Sequence, residues 1–166
     1  MSEQMTNTAE MNAADGVSEA QLFFYSSSHG MTASLVERLP FSSYRIKGSY
    51  RVKRSEPIIA TGPFVLFAPT YKTEHDRNYI PRCLKEFLMT ERNHEHMVGV
   101  VGVGNISFGS DYNKAADVVS EKFDVPVLGK VELSGTIDDV EQLTVSIADV
   151  LMGSDKAASS VDHREH

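Results

Sequence analysis

Residues 21–39, "QLFFYSSSHGMTASLVERL", pass from an apolar segment through three serines, a histidine and a glycine into an amphipathic segment. The first five residues form a short apolar run, the pattern of a central strand. Beyond Thr32, the residues Leu35, Val36 and Leu39 recur at helical spacing, and Pro40 ends the pattern. A buried strand that hands over to a helix is the opening unit of an α/β fold. The loop between them admits two readings. A helix start leaves N–H groups without acceptors and carries partial positive charge, so hydroxyls and a glycine ahead of it make an anion cradle. Serine and threonine are equally the ordinary helix caps. The stretch alone leaves cradle and cap both open.

Working outward, the strand-then-helix pattern recurs. Residues 44–47 and 50–53, separated by Gly48-Ser49, read as short edge strands or a hairpin. Residues 64–68, "FVLFA", are a second buried strand, and a long polar loop leads from it into a helix. That helix carries Ile80, Cys83, Leu84, Phe87 and Leu88 on one face, with Pro81 in its first turn. Residues 97–103, "MVGVVGV", are a third buried strand whose glycines permit close backbone approach. A helix is expected over about 111–123, then strand-like pieces at 125–128 and 131–133. Thr136 and Asp139 have the spacing of a capping box at the start of a last helix, expected to end near Leu151. No internal repeat is present. Buried strands alternating with helices imply a doubly wound three-layer sandwich on a mainly parallel, five-stranded sheet.

Bulk properties narrow the function classes. The 166 residues suit one domain, long enough to bury about two-thirds of the unfolded surface. Of the net charge of −7, residues 1–20 carry −4 and residues 153–166 carry −1, which leaves −2 for residues 21–152. Both ends are therefore expected to be disordered, a 1–20 extension and a 153–166 tail around a 21–152 domain. A near-neutral core lacks the basic footprint of a nucleic-acid binder. No apolar run is long enough to span a bilayer, and residues 1–20 do not read as a signal peptide. The single cysteine, Cys83, excludes an internal disulfide, suits a reducing cytoplasm, and reads as packing. The histidines show no metal-ligand spacing, and His94 and His96 read as polar surface residues. Arg45, Lys47, Arg51, Lys53 and Arg54 form a local basic cluster, either a solvated edge or a surface for an acidic group.

In an open parallel sheet, ligands bind outside the carboxyl ends of the strands. Three loops follow the three apolar strands. The first holds Ser26, Ser27, Ser28, His29, Gly30, Met31 and Thr32; it has no lysine and no P-loop pattern, which favours a phosphate monoester over a nucleoside triphosphate. The second, residues 69–79, begins with Pro69, Thr70, Tyr71 and Lys72; it is long for its position, and Tyr71 offers a stacking face, unless the segment is a solvated excursion. The third includes Gly104, Asn105, Phe108 and Gly109. Its glycines allow close approach, Asn105 offers donor and acceptor, and Phe108 is either an aromatic wall or a core anchor. A phosphate at the first loop and a flat ring between the other two is the layout of an FMN site in a flavodoxin-like fold.

The chain resembles the NrdI family, small flavodoxin-like proteins that serve class Ib ribonucleotide reductases. The resemblance rests on "FFYSSSHGMT", on "FVLFAPTY" leading to "YIPRCLKEFL", and most specifically on "GVVGVGNISFGSDYNKAADVVSEKFDVPVLGKVELSGTIDDVE". It covers residues 21–152. It implies a cytoplasmic FMN protein in which Ser26, Ser27, His29, Gly30 and Thr32 form the phosphate loop, with Met31 contributing its backbone. Thr70, Tyr71 and Lys72 would lie beside the flavin, and Gly104, Asn105, Phe108 and Gly109 would cover the other side of its ring. The implied partners are the reductase small subunit NrdF, an unidentified flavin reductant and O₂. Reduced flavin and O₂ would supply superoxide for assembly of the dimanganese-tyrosyl radical centre of NrdF. The protein would act as a maturation factor, with no catalytic residue and no metal ligand of its own. Two positions depart from the family pattern: Met31 stands where asparagine is common, and the second loop reads "KTEHDRN" where glycines are common. The alternatives are a general flavodoxin-type electron carrier and a flavin-free doubly wound module that binds another phosphate ligand or a protein.

Overall fold

The computed structural model describes residues 17–25, 30–46, 58–69, 82–104 and 114–164, apart from the side chains of Val17, Arg82 and residues 154–164. In chain order the elements are β1 (Val17–Ser18), β2 (Leu22–Phe24), α1 (Met31–Glu37), β3 (Ser43–Arg45), β4 (Ile59–Ala60), β5 (Phe64–Pro69), α2 (Arg82–Met89), a tight turn segment (Thr90–His96), β6 (Met97–Gly104), α3 (Lys114–Phe123), β7 (Val127–Glu132) and α4 (Ile137–Arg164).

Five strands form one parallel sheet in the order β3-β2-β5-β6-β7. With these five strands renumbered along the chain, that is 2-1-3-4-5, the flavodoxin-like order. The sequence reason is that β2, β5 and β6 are apolar on both faces, so both faces must be covered. Successive side chains divide between the two layers, as the strand period of two requires. Phe23, Tyr25, Phe64, Leu66 and Ala68 face Cys83, Leu84 and Phe87 of α2 and Ala115, Ala116 and Val119 of α3. Leu22, Phe24, Val65, Phe67 and Val101 face Leu35 and Val36 of α1 and Leu143 and Ile147 of α4. Phe23 sits at the centre of the first layer, its ring 4.7 Å from that of Phe87 and 4.9 Å from that of Phe64.

Several expectations take a different form in the structure. Of the two pieces expected at 44–47 and 50–53, the first is an edge strand, β3, which pairs parallel to β2 with Tyr44 opposite Phe23; residues 47–57, and with them the second piece, lie outside the described set. The two pieces expected at 125–128 and 131–133 are one strand, because Gly129 continues β7 beneath Leu143 of α4 rather than turning. The packed chain begins before residue 21, with Ser18 and Ala20 buried, and α4 runs on to Arg164, beyond Leu151. A second, two-stranded parallel sheet pairs Val17 with Ile59 and Ser18 with Ala60. The expected capping box is present: the Asp139 N–H donates to Thr136 Oγ1 at 3.1 Å, and the Thr136 N–H donates to Asp139 Oδ2 at 2.8 Å.

Candidate functional site

The chain reverses its direction of travel across the sheet between β2 and β5. From β2 it crosses to β3 at one edge, and from β5 it proceeds to β6 and β7 toward the other. Helices on opposite faces therefore diverge at the carboxyl ends of β2 and β5, which opens a crevice there. The strand ends are in close register: Phe24 pairs with Phe67, Pro69 with Val103, and Gly104 with Glu132. The connections after β2, β5 and β6 consequently leave the same sheet edge side by side. These are the three loops singled out in the sequence.

At the first, the N-cap of α1 is Gly30, with φ 72° and ψ 16°. This left-handed backbone suits glycine, and the N-cap has no side chain with which to close off the helix start. The Ser34 N–H makes the first helical bond, to Gly30 O at 2.8 Å. The Met31 and Thr32 amides, in the first turn, have no acceptor within the helix, the geometry that draws anions to helix starts. A Cβ placed on Gly30 would meet nothing within 4 Å among the described residues, so space remains beside the turn. Met31 is partly exposed, whereas Thr32 is buried on the inward side of α1. The N-cap residue itself therefore supplies no side-chain cap, and the serines ahead of it lie outside the described residues.

At the third loop, Gly104 is half-buried at the end of β6, and its carbonyl accepts the Leu133 N–H at 2.8 Å. Leu133 opens a tight turn with φ 57°, and Gly135 follows with φ 81°. Gly135 is required twice over. Its φ is left-handed, and a Cβ there would approach Val131 Cγ1 to 2.8 Å and Leu35 Cδ1 to 3.3 Å. The "ELSGT" segment is therefore a packed turn whose glycine lies against α1, and its first amide grips the start of the third loop.

Of the thirteen residues singled out for the cofactor, Gly30, Met31, Thr32 and Gly104 are described. Ser26, Ser27, His29, Thr70, Tyr71, Lys72, Asn105, Phe108 and Gly109 lie outside the described residues, as do Lys47, Arg51, Lys53 and Arg54 of the basic cluster. Arg45 is exposed on the edge strand. Cys83 is fully buried, as its place on the apolar face implies. His94 differs from the reading as a surface residue: it is half-buried and stacks on Phe123 with ring centres 5.2 Å apart. Arg38, not singled out in the sequence, donates from Nη2 to the carbonyls of Ser134 and Gly135, the second at 3.1 Å. An arginine late in a helix signals carbonyl contacts nearby, but acceptors almost a hundred residues away leave no local trace. Among the described residues no cluster of three or more His, Cys, Asp or Glu side chains is placed to hold a metal ion, and no helix is long and apolar enough to cross a membrane.

Comparison with known proteins agrees with this layout. Residues 23–145 match the profile of the NrdI flavodoxin-like family. The chain is 35% identical to Protein NrdI of Ruegeria sp. over 127 residues, covering 76% of this chain and 87% of that one. It is 35% identical to Protein NrdI of Chromohalobacter salexigens over 125 residues, covering 75% and 91%. With Protein NrdI of Escherichia coli strain 55989 it shares 34% identity over 130 residues, covering 78% and 93%. Among solved structures, a short-chain flavodoxin associated with a bacterial microcompartment superposes with a TM-score of 0.51 at 16% identity, covering 80% of this chain and 95% of that one, a likeness of fold. The chain belongs to the NrdI family of flavodoxin-like proteins.

Proposed function

We propose that this chain is the FMN-binding activator of a class Ib ribonucleotide reductase, acting in the cytoplasm on the small subunit NrdF. The observation that carries the reading is family membership over residues 23–145, joined to a sheet order that opens its crevice where the family keeps its flavin. FMN is the cofactor, and ribonucleotide reductase is the system served. The open helix start at Gly30 and Met31 fits the phosphate, which needs backbone donors and no lysine. By the family's motifs, Ser26, Ser27 and His29 would complete that cradle, Thr70, Tyr71 and Lys72 would lie beside the ring, and Asn105, Phe108 and Gly109 would cover its other side.

When bound, FMN in its reduced form supplies the electron that converts O₂ to superoxide, the oxidant from which NrdF builds its dimanganese-tyrosyl radical centre. The residues of this chain bind and orient; none of them performs acid or base chemistry in this account. Gly30 keeps the phosphate approach clear of side chains, and the residue 133–136 turn fixes Gly104 at the mouth of the ring-covering loop. The flavin is reduced by a separate, unidentified reductant.

The first test is cofactor uptake. Apoprotein titrated with FMN should saturate at one flavin per chain, with the flavin absorbance band reshaped and its fluorescence changed. A protein that takes up no FMN would overturn the reading in favour of a flavin-free module.

A further inference from the structure

Arg38 stands just past the last turn of α1, exposed to solvent, yet its guanidinium is committed to backbone on a distant element. Nη2 donates to both Ser134 O and Gly135 O, the two carbonyls at the centre of the turn between β7 and α4. A charged donor shared by two carbonyls is a stronger tie than a neutral hydrogen bond. The turn it holds is an unfavourable one. Leu133 has φ 57° without being glycine, and Gly135 has φ 81° in a space too tight for a Cβ. Left-handed backbone at a bulky residue persists only where surrounding contacts over-determine it.

Three contacts do so here. The Gly135 N–H donates to Glu132 O at 3.0 Å, the Leu133 N–H donates to Gly104 O at 2.8 Å, and Arg38 closes the turn from outside. The middle contact is the last rung between β6 and β7, and its acceptor is the residue from which the third loop departs. Arg38 therefore connects the helix whose start meets the first loop with the strand end that launches the third.

We infer that Arg38 is a positioning residue for the cofactor site: by clamping Ser134 O and Gly135 O it keeps Leu133 in the strained form whose amide holds Gly104. This rests on the flavin reading for its consequence, but not for the clamp itself. Among the described residues Arg38 bonds to Ser134 O and Gly135 O and to none of Gly30, Met31, Thr32 or Gly104, so the effect argued here passes through the turn. Loss of the clamp frees residues 134–135, so the turn no longer braces the end of β7, the rung from the Leu133 N–H to Gly104 O opens more readily, and one wall of the ring site loosens.

The test compares wild type with Arg38→Ala and Arg38→Lys in the full chain. Amide exchange of Leu133, resolved by NMR in the apoprotein, should accelerate at least tenfold in Arg38→Ala, while the amides of β2 and β5 stay as protected as before. The dissociation constant for FMN should rise about tenfold, and Arg38→Lys should recover part of both effects. Unchanged Leu133 exchange would overturn the clamp. Accelerated exchange with unchanged FMN affinity, in a wild type that binds FMN, would overturn the positioning role and leave Arg38 a brace between α1 and α4. Should the wild type take up no FMN, the flavin reading fails and with it the positioning role, while the exchange arm still decides the clamp.

Discussion

The Asn93 carboxamide accepts the Ala60 N–H at 2.8 Å and so fastens β4 to the end of α2. Its amide group donates to Ile58 O at 2.8 Å and to Phe87 O at 2.7 Å. Asn93 is fully buried, and it follows two residues, Glu91 and Arg92, held at positive φ. A buried polar side chain satisfied on both its donor and acceptor sides accounts for that strained approach. The joint lies before the start of β6, at the end of the sheet away from the proposed flavin. Its role is to hold the fold.

Asn93→Ala should therefore lower stability by about 2–4 kcal/mol, since three buried backbone groups lose a partner at once. Urea unfolding measures it, and FMN affinity of the folded fraction should stay within twofold of wild type. A loss of FMN binding without a loss of stability would contradict this assignment.

Gly30→Ala tests the backbone at the helix start in isolation. A Cβ there meets nothing within 4 Å among the described residues, and the left-handed φ opposes it. The expected cost is about 1 kcal/mol, read as a lower denaturation midpoint. Gly30→Asn should cost less, because asparagine tolerates this region better than alanine.

Gly99 makes the opposite case, with ordinary φ and no room. A Cβ would lie 2.8 Å from Leu128 Cδ1 and 2.9 Å from its Cγ, between adjacent strands. Gly99→Ala should destabilise by about 1–3 kcal/mol. In a Leu128→Ala background the same substitution should cost much less, a coupling that a double-mutant cycle reads directly. Additive effects would show that the crowding is relieved elsewhere.

Phe108→Ala separates the two readings of the third loop. As an aromatic wall, Phe108 contributes about 1 kcal/mol to a stacked ring, so FMN affinity should fall about fivefold with little change in apoprotein stability. A large loss of stability with unchanged FMN affinity and spectrum would make it a core anchor.

Much of the fold could be read from residues 21–104 because their strands are apolar on both faces, and only a covered parallel sheet buries such runs. Thr136 and Asp139 announced their helix start by spacing alone, and the structure has both hydrogen bonds. Edge elements were harder. Gly129 fell between two strand-like pieces in the sequence, yet it lies within β7 and its missing side chain serves packing, with Leu143 Cδ2 only 2.9 Å from where a Cβ would stand. The parallel course of β3 depends on a crossover, which leaves no local pattern. Neither Asn93 nor Arg38 could be found by periodicity, since their partners are set by tertiary contact. For the site, the strand ends that launch the three loops lie side by side, as a doubly wound sheet requires. The phosphate and ring assignments were read from loop chemistry, and most of those residues lie outside the described set.

Activation of a ribonucleotide reductase small subunit by this flavodoxin-like chain is read by radical yield. Manganese-loaded NrdF, the FMN-loaded chain, a reductant and O₂ are mixed, and the tyrosyl radical is counted by EPR against a general flavodoxin under the same conditions. The expected result is a tyrosyl-radical signal that requires both this protein and O₂ and exceeds the flavodoxin control. A signal no larger than that control would contradict it and make the protein a general electron carrier.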